Sequence, residues 1–455
     1  MEVIAHIVMA VWVPVIFVIF GLFPARRAVI LSFVIGWLFL PLVSYKIQGL
    51  PAYGKASATG IGVLLAIICF DSARLMAWRP RFIDLPMLVW CLCPIASSLN
   101  NDLGFYDGIS AAFEQVVFWG IPYFIGRLYF REAEDFRELA RALVVAGLVY
   151  APLCMFEMRM SAQLSRYVYG SGGYARYHSW AGPLGWQPAV FLQTALACSI
   201  FMAGSALLAV WLWSSGAIKS VFGVPMGPLA ALLVVVSIFC KGVGANTLLM
   251  GCLAALFAVR KLGTMSLVYV LVGVAPTYVL LRSTGLWSGR NLISTSTKVV
   301  TERKTQSLET RIENEDILME RAFQRPVFGW GRWGRSRVVN EEGKDICLTD
   351  GMWIIALGQT GAVGLTALLA TLIGPVLVLA ARRRAGAWSR PELAPMLGLA
   401  VLLTLYSIDN LFNAMLNPVF AMAIGAVSGA RLLRGSAVNV AISASLPRGS
   451  IPVGT

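Results

Sequence analysis

Apolar runs of about 18–20 residues recur from one end of this 455-residue chain to the other. That is the length a helix needs to cross roughly 30 Å of hydrocarbon. Only 13% of the residues are charged, against about 25% in soluble globular chains. Most of the chain therefore has no water to face. Backbone groups in lipid need partners within the same segment, so the runs are predicted to be helices. The short alternating segments of a β-barrel are absent from the sequence. The expected fold class is all-α, a polytopic membrane protein with about 13 transmembrane helices at 3–23, 28–45, 58–73, 84–99, 109–126, 140–157, 185–209, 224–240, 243–259, 264–281, 352–381, 394–409 and 414–430. The first run is read as a retained span, because it is long and lacks a small-residue cleavage site. The 352–381 run is longer than a bilayer requires and is expected to tilt or to begin outside it.

The net charge of +14 is placed in the connections. Arg26 and Arg27, then Arg74, Arg79 and Arg81, then Arg127, Arg131, Arg137 and Arg141 flank spans one, three and five. Lys219, Arg260 with Lys261, Arg382 to Arg384 with Arg390, and Arg431 with Arg434 continue the alternation. The intervening short loops are poor in Lys and Arg; Asn100–Gly108 has Asp102 and Asp107 and no base. The positive-inside rule makes the basic loops cytoplasmic, so the N-terminus is expected outside and the C-terminus inside, in a bacterial inner membrane. The charge thus reads as a topology signal and a headgroup contact, not as a nucleic-acid surface. Seven of the eight cysteines lie in apolar runs, including the pair Cys91 and Cys93, and are read as small core residues. Cys347 stands alone in a loop, and no spacing resembles a zinc site.

This topology divides the chain into N-terminal helices (1–139), central helices with an outer loop at 158–184 (140–281), a large outer loop (282–351), C-terminal helices (352–434) and a tail (435–455) expected to be disordered. The large loop carries twelve Lys and Arg residues on the side where the rule does not favour them. Within 301–325, Leu308, Ile312, Ile317 with Leu318, and Phe323 recur at helical spacing among charges. Pro326 ends that helix, and Pro326-Val-Phe-Gly-Trp-Gly331 forms a turn. A helix so polar is expected along the outer membrane face. Its arginines suit phosphate oxygens, since a planar guanidinium binds them in pairs, and they equally suit lipid headgroups or Glu309, Glu313, Glu315 and Glu320. Gly358, Gly361 and Gly364 recur along one side of the following span, a pattern that predicts close helix packing.

In order and spacing these pieces resemble the O-antigen ligase and O-antigen polymerase superfamily. Arg311 precedes Pro326–Gly331; Asp350-Gly351-Met352-Trp353 leads into Gly358-Gln-Thr-Gly-Ala-Val-Gly-Leu365. Arg176-Tyr-His-Ser-Trp-Ala-Gly-Pro-Leu-Gly-Trp-Gln-Pro188 resembles the family's Arg–Gly–Pro segment, and Cys240-Lys241-Gly242 its Ser-Arg-Gly turn. The likeness covers residues 140–430 and departs at one place: Asp350-Gly351 stands where the family has His-Asn.

The resemblance implies a C-type glycosyltransferase-like fold, no cofactor and no metal. Its implied activity is polymerisation of undecaprenyl-diphosphate-linked glycan units into a surface polysaccharide, such as O-antigen or exopolysaccharide, at the periplasmic face. Membrane lipids, flippase and chain-length regulator proteins are the implied partners. A ligase moving the glycan to a lipid or protein acceptor, and a transporter or flippase of lipid-linked sugars, are the alternatives. The candidate diphosphate ligands are Arg311 and Arg176, then Lys241, Arg325 and Arg332. Asp350 is the first candidate base, a carboxylate that equally suits a helix N-cap. His178 is the second and Glu157 the third. Asp409, Asn410, Asn413 and Asn417 are expected either to line an acceptor channel or to satisfy a helix turn.

Overall fold

A computed structural model describes residues 2–46, 51–170, 181–182, 185–299, 302–347 and 350–431. Arg176 and His178, and the tail 435–455, lie outside these residues. The described chain is almost wholly helical. The principal helices are α1 (Glu2–Leu22), α2 (Ala25–Phe39), α3 (Lys55–Phe70), α4 (Leu85–Asn100), α5 (Phe105–Gln115), α6 (Ile121–Tyr129), α7 (Ala133–Met160), α8 (Ala195–Ser214), α9 (Met226–Phe239), α10 (Val243–Phe257) and α11 (Ser266–Ser283). Then come α12 (Arg290–Val299), α13 (Glu302–Phe323), α14 (Met352–Ala381), α15 (Ala394–Asp409) and α16 (Pro418–Gly429). Two two-stranded hairpins, Ala181–Gly182 with Gly185–Trp186 and Ser220–Val221 with Val224–Pro225, are the only strands among the described residues.

Seven helices are long and apolar enough to cross a bilayer, and four shorter apolar ones pack beside them. Together with their surface they make a membrane-embedded bundle. On α1, Val3, Ile7 and Val18 are more than half exposed, and Val235, Ile238, Met250, Phe257 and Val270 form similar outward rows. A water-facing surface of that kind would aggregate; a lipid-facing one needs it. The centre is α8, whose small residues Ala203, Gly204 and Ala206 are buried against α7, α9 and α15. A Cβ on Gly204 would come within 2.5 Å of Leu402, and one on Gly147 within 2.6 Å of Ser205.

Helical segments overlap all thirteen predicted runs, seven of them long and apolar enough to cross a bilayer; the run 28–45 ends at Phe39, and three others depart from plain helix. The run 185–209 becomes helical only at Ala195. Its first ten residues form a short strand followed by a turn, where Glu157 holds the backbone amides of Ala189 and Val190 at 2.9 and 2.7 Å. The run 109–126 carries an i→i+5 turn at Val116–Gly120, between α5 and α6. The run 352–381 is two helices joined across a kink at Gly361 (φ 63°, ψ −164°).

Ion pairs gather the arginine-bearing loops at one end. Arg26 and Arg27 bond Glu138 at 2.5 and 2.6 Å, Arg127 forks onto Asp84 at 2.6 and 2.7 Å, and the Arg431 amide donates to the Arg131 carbonyl at 2.8 Å. At the opposite end, Thr194 reaches Met415 at 3.3 Å, and Asn101 donates to the Gly329 carbonyl at 2.8 Å. The segment 282–347 closes over this second end.

Candidate functional site

The position of α13 is set by one cation. Arg282, in the last turn of α11, is only 3% exposed. Its Nε lies 3.2 Å from Glu315 Oε2 and its Nη2 2.8 Å from Asp316 Oδ1 and 3.1 Å from the Ile312 carbonyl. Its Nη1 donates to the Ser288 carbonyl at 3.0 Å. Glu315 also accepts from Tyr278 Oη at 2.8 Å and from Trp353 Nε1 at 2.9 Å. Burial holds the Glu315 carboxyl above its ordinary range, outweighing those bonds. Tyr278 meets Trp287, Trp353 and Phe412 edge-on, with centroids 5.7, 6.1 and 5.3 Å away. The apolar side of α13, with Ile312, Leu318, Met319 and Ala322 buried, packs on α14. So α13 is an amphipathic helix as its spacing predicts, but it lies on protein rather than on lipid alone.

Arg311 precedes Glu315 by four residues and shares its face. Its Nε is 3.3 Å from Asp350 Oδ2, and its Nη2 is 3.4 Å from Asn413 Oδ1. Asn413 Nδ2 in turn donates to Asp409 Oδ1 at 3.1 Å. Three segments far apart in sequence thus place a guanidinium, two carboxylates and an amide together. Arg311 and Asp350 keep about a quarter and two-fifths of their side chains exposed, while Asp409 is buried. The Asp350 main chain is fixed: its carbonyl accepts from the Ala414 amide at 2.5 Å, and the Met352 amide donates to the Asn410 carbonyl at 2.9 Å. Gly351 between them is required, since a Cβ there would stand 2.4 Å from the Leu411 carbonyl. The asparagines divide. Asn410 serves its own turn, bonding the Tyr406 carbonyl and the Met415 amide, and Asn417 caps α16 through the amides of Val419 and Phe420. Only Asn413 and Asp409 face Arg311.

The Pro326–Gly331 turn docks into the break of α14. The amides of Trp330 and Gly331 donate to the carbonyls of Gly358 and Gln359 at 2.8 and 2.9 Å. In return, the amides of Ala362 and Val363 donate to the carbonyls of Pro326 and Val327 at 2.8 and 3.2 Å. The broken helix thus finds main-chain partners in the turn. A Cβ on Gly361 would lie 2.3 Å from the Val327 carbonyl oxygen, and one on Gly329 2.5 Å from the Gln359 carbonyl carbon. The packing expected for Gly358, Gly361 and Gly364 is replaced by this use: Gly361 breaks the helix, Gly358 admits Ser336, and Gly364 sits over Thr360 of its own helix.

Two of the remaining candidate cations, Arg325 and Arg332, do not join Arg311, and Arg176 lies outside the described residues. Twelve residues of helix separate Arg311 from the end of α13, about 18 Å, so Arg325 and Arg332 beyond it belong to other surroundings. Arg325 is exposed, 5.4 Å from the Trp330 ring, and Arg321 stacks on that ring at 3.5 Å. Arg332 reaches Ser110 at 3.1 Å and Glu114 at 3.4 Å, and Arg335 forks onto Asp107 at 2.7 and 2.8 Å. These contacts tie the loop to α5. Lys241, in a left-handed conformation (φ 59°), points its ammonium at the Gly185 carbonyl, and partial burial lowers its pKa. Glu157 is fully buried, and its oxygens accept the amides of Leu164, Ala189 and Val190. Buried, with both oxygens engaged by main-chain amides, it acts as a backbone clamp.

Among the described residues, Cys154, Cys198 and Cys240 are the one group of three or more metal-ligating side chains, their sulfurs within 4.8 Å of one another. Cys154 and Cys198 are 3.5 Å apart. They offer three of the four ligands of a structural zinc site, and the neighbouring Glu157 is already committed to backbone. Their spacing in sequence hides this meeting. The Arg282–Glu315 network is likewise invisible in the sequence, except that Arg282 interrupts an apolar run at its end. No family model matches the chain, and no curated protein matches it.

Proposed function

We propose that the chain is an inner-membrane glycosyltransferase of the O-antigen polymerase and ligase type, extending a glycan carried on undecaprenyl diphosphate. In this reading it crosses the bilayer thirteen times. The Arg311 end faces the periplasm and the arginine-paired end the cytoplasm. The observation that carries the reading is the meeting of Arg311, Asp350, Asn413 and Asp409 at the end covered by the large loop.

Arg311 meets the diphosphate and offsets the charge that grows on it as the bond from the sugar anomeric carbon to the phosphate oxygen breaks. A partly exposed guanidinium paired to one carboxylate at 3.3 Å can exchange that partner for a phosphate. The exchange releases Asp350 to accept the proton of an acceptor hydroxyl as its oxygen bonds the anomeric carbon. Asn413 and the buried Asp409 hold Arg311 in register. In this reading Arg332 holds the loop against α5, and Lys241 the neighbouring hairpin. Flippase and chain-length regulator proteins are the partners such an enzyme would meet.

The test is a deletion strain scored for surface polysaccharide and rescued with variants whose membrane level is checked. R311A and D350A are expected to leave only short glycan. R311K, which keeps charge without the fork, is expected to restore part of the length distribution. Purified protein given carrier-linked repeat units, with or without a separate acceptor, tells polymerase from ligase. Full-length polysaccharide with R311A, or labelling of 282–351 only from the cytoplasmic side, would refute the proposal.

A further inference from the structure

At the opposite end of the bundle from Arg311 lies a cavity of about 360 Å³, formed where the start of α2, the short helix Ser72–Met76, the α6–α7 connection and Arg431 meet. Four arginines line it, Arg26, Arg74, Arg131 and Arg431, together with Tyr129, Glu132 and Asp135. The acids are already engaged. Asp135 takes Arg26 and, at 2.8 Å each, the amides of Arg131 and Glu132. Glu132 takes Arg431 at 2.5 Å. Asp71, beside the cavity, takes Arg74 at 3.0 Å and the Tyr129 hydroxyl at 2.9 Å. That leaves Arg131. Its Nε is closed off from water and has no hydrogen-bond partner among the described residues. Burial, then crowding by Arg127, Arg74 and Arg431, lowers its pKa against a smaller opposing pull from Asp135.

A guanidinium left without an acceptor among like charges is costly. A ligand with several anionic oxygens offsets the crowded charge, meeting Arg131 where it lines the cavity and bridging Arg74 and Arg431. We propose that this cavity binds a phosphate group, supplied either by the headgroup of an anionic phospholipid or by free inorganic phosphate. A tetrahedral anion suits it better than a carboxylate, because the guanidiniums approach from separate elements and each needs its own oxygen. The void also has room for the glycerol next to a headgroup phosphate. Nothing in this site depends on the reaction proposed for Arg311, so failure of either leaves the other standing.

The experiment uses the full chain, purified and delipidated. One arm measures lipid retained by native mass spectrometry after exposure to phosphatidylglycerol or phosphatidylcholine. The other measures the melting shift with inorganic phosphate against chloride at equal ionic strength. Wild type is expected to prefer the anionic lipid, the soluble phosphate, or both; lipid alone assigns a headgroup site and phosphate alone a free-ion site. R131Q removes one charge-assisted donor group and is expected to weaken the preferred ligand about tenfold. R131K keeps the charge and guards against misfolding; it is expected to fall between R131Q and wild type. R383Q, on a connecting loop outside the cavity, is expected to match wild type. Wild type without any preference, or R131Q and R131K both binding like wild type, would overturn the proposal.

Discussion

Gly361→Ala tests the joint that seats the large loop. The residue holds φ 63° and ψ −164°, a region essentially reserved for glycine, so a side chain there costs about 1–3 kcal/mol before any contact is made. The added Cβ would then lie 2.3, 2.4 and 2.6 Å from the Val327 oxygen, the Val327 carbon and the Phe328 nitrogen. These are main-chain atoms that cannot rotate away, so the turn must lift. Lifting it strains four backbone hydrogen bonds of 2.8–3.2 Å between 326–331 and 358–363, each worth about 0.5–1.5 kcal/mol net. If half of them are lost, the total comes to roughly 2–6 kcal/mol. Tryptophan fluorescence during heating in detergent is the assay, since Trp330 lies in the turn. Its expected result is a melting midpoint lowered by several degrees, with faster tryptic cleavage after Arg321 and Arg332. Gly374→Ala is the control: it lies in the same helix with nothing within 4 Å of the added atom, and it should be neutral or stabilising by about 0.5–1 kcal/mol. Equal midpoints and equal cleavage rates for the two variants would show that the turn does not sit in the break.

Arg282→Met strands Glu315 among Tyr278, Trp353 and the helix ends, and should cost about 3–5 kcal/mol; the double variant R282M/E315L should recover most of it, whereas equal melting of single and double variants would disprove the coupling. Glu315 also sets a pH dependence. Burial raises its carboxyl above the ordinary 4.5, so the folded chain binds this proton more tightly than the unfolded one. Its contribution is full below that ordinary value and is lost as pH rises through the folded one. Wild type should therefore lose stability relative to E315Q as pH rises from 4.5 toward neutrality, and parallel melting curves would contradict this.

The helices were legible because a bilayer-spanning run announces itself by length and composition. The α13 amphipathic pattern was legible for the same kind of reason: Ile312 and Leu318 recur at helical spacing and are both buried. What local patterns could not carry was convergence. Arg311 and Asp350 were singled out from the chain, yet their meeting with Asn413 depends on how α15 and α16 fold back. Glu157 looked like a free carboxylate at a span end because its partners are backbone amides, which every residue but proline has. Gly361 looked like a packing residue because three glycines spaced three apart fit both a smooth helix face and a broken one; only the turn that fills the break decides between them. Arg325 and Arg332 were grouped with Arg311 by nearness in sequence, and a straight helix then carried them away from it.

The seam between the turn and α14 is built from amides and carbonyls, so it barely depends on which side chains decorate it. Val327 is half exposed, and its oxygen rather than its isopropyl group meets the helix. Substitutions at Val327 and Gln359 should pass with little effect, while any side chain at Gly329 or Gly361 should unseat the turn. A chain with this seam can drift in almost every letter and still hang its outer loop at the same height over the bundle. Kinship among such proteins would then survive as a sparse rhythm of glycines long after ordinary identity has faded.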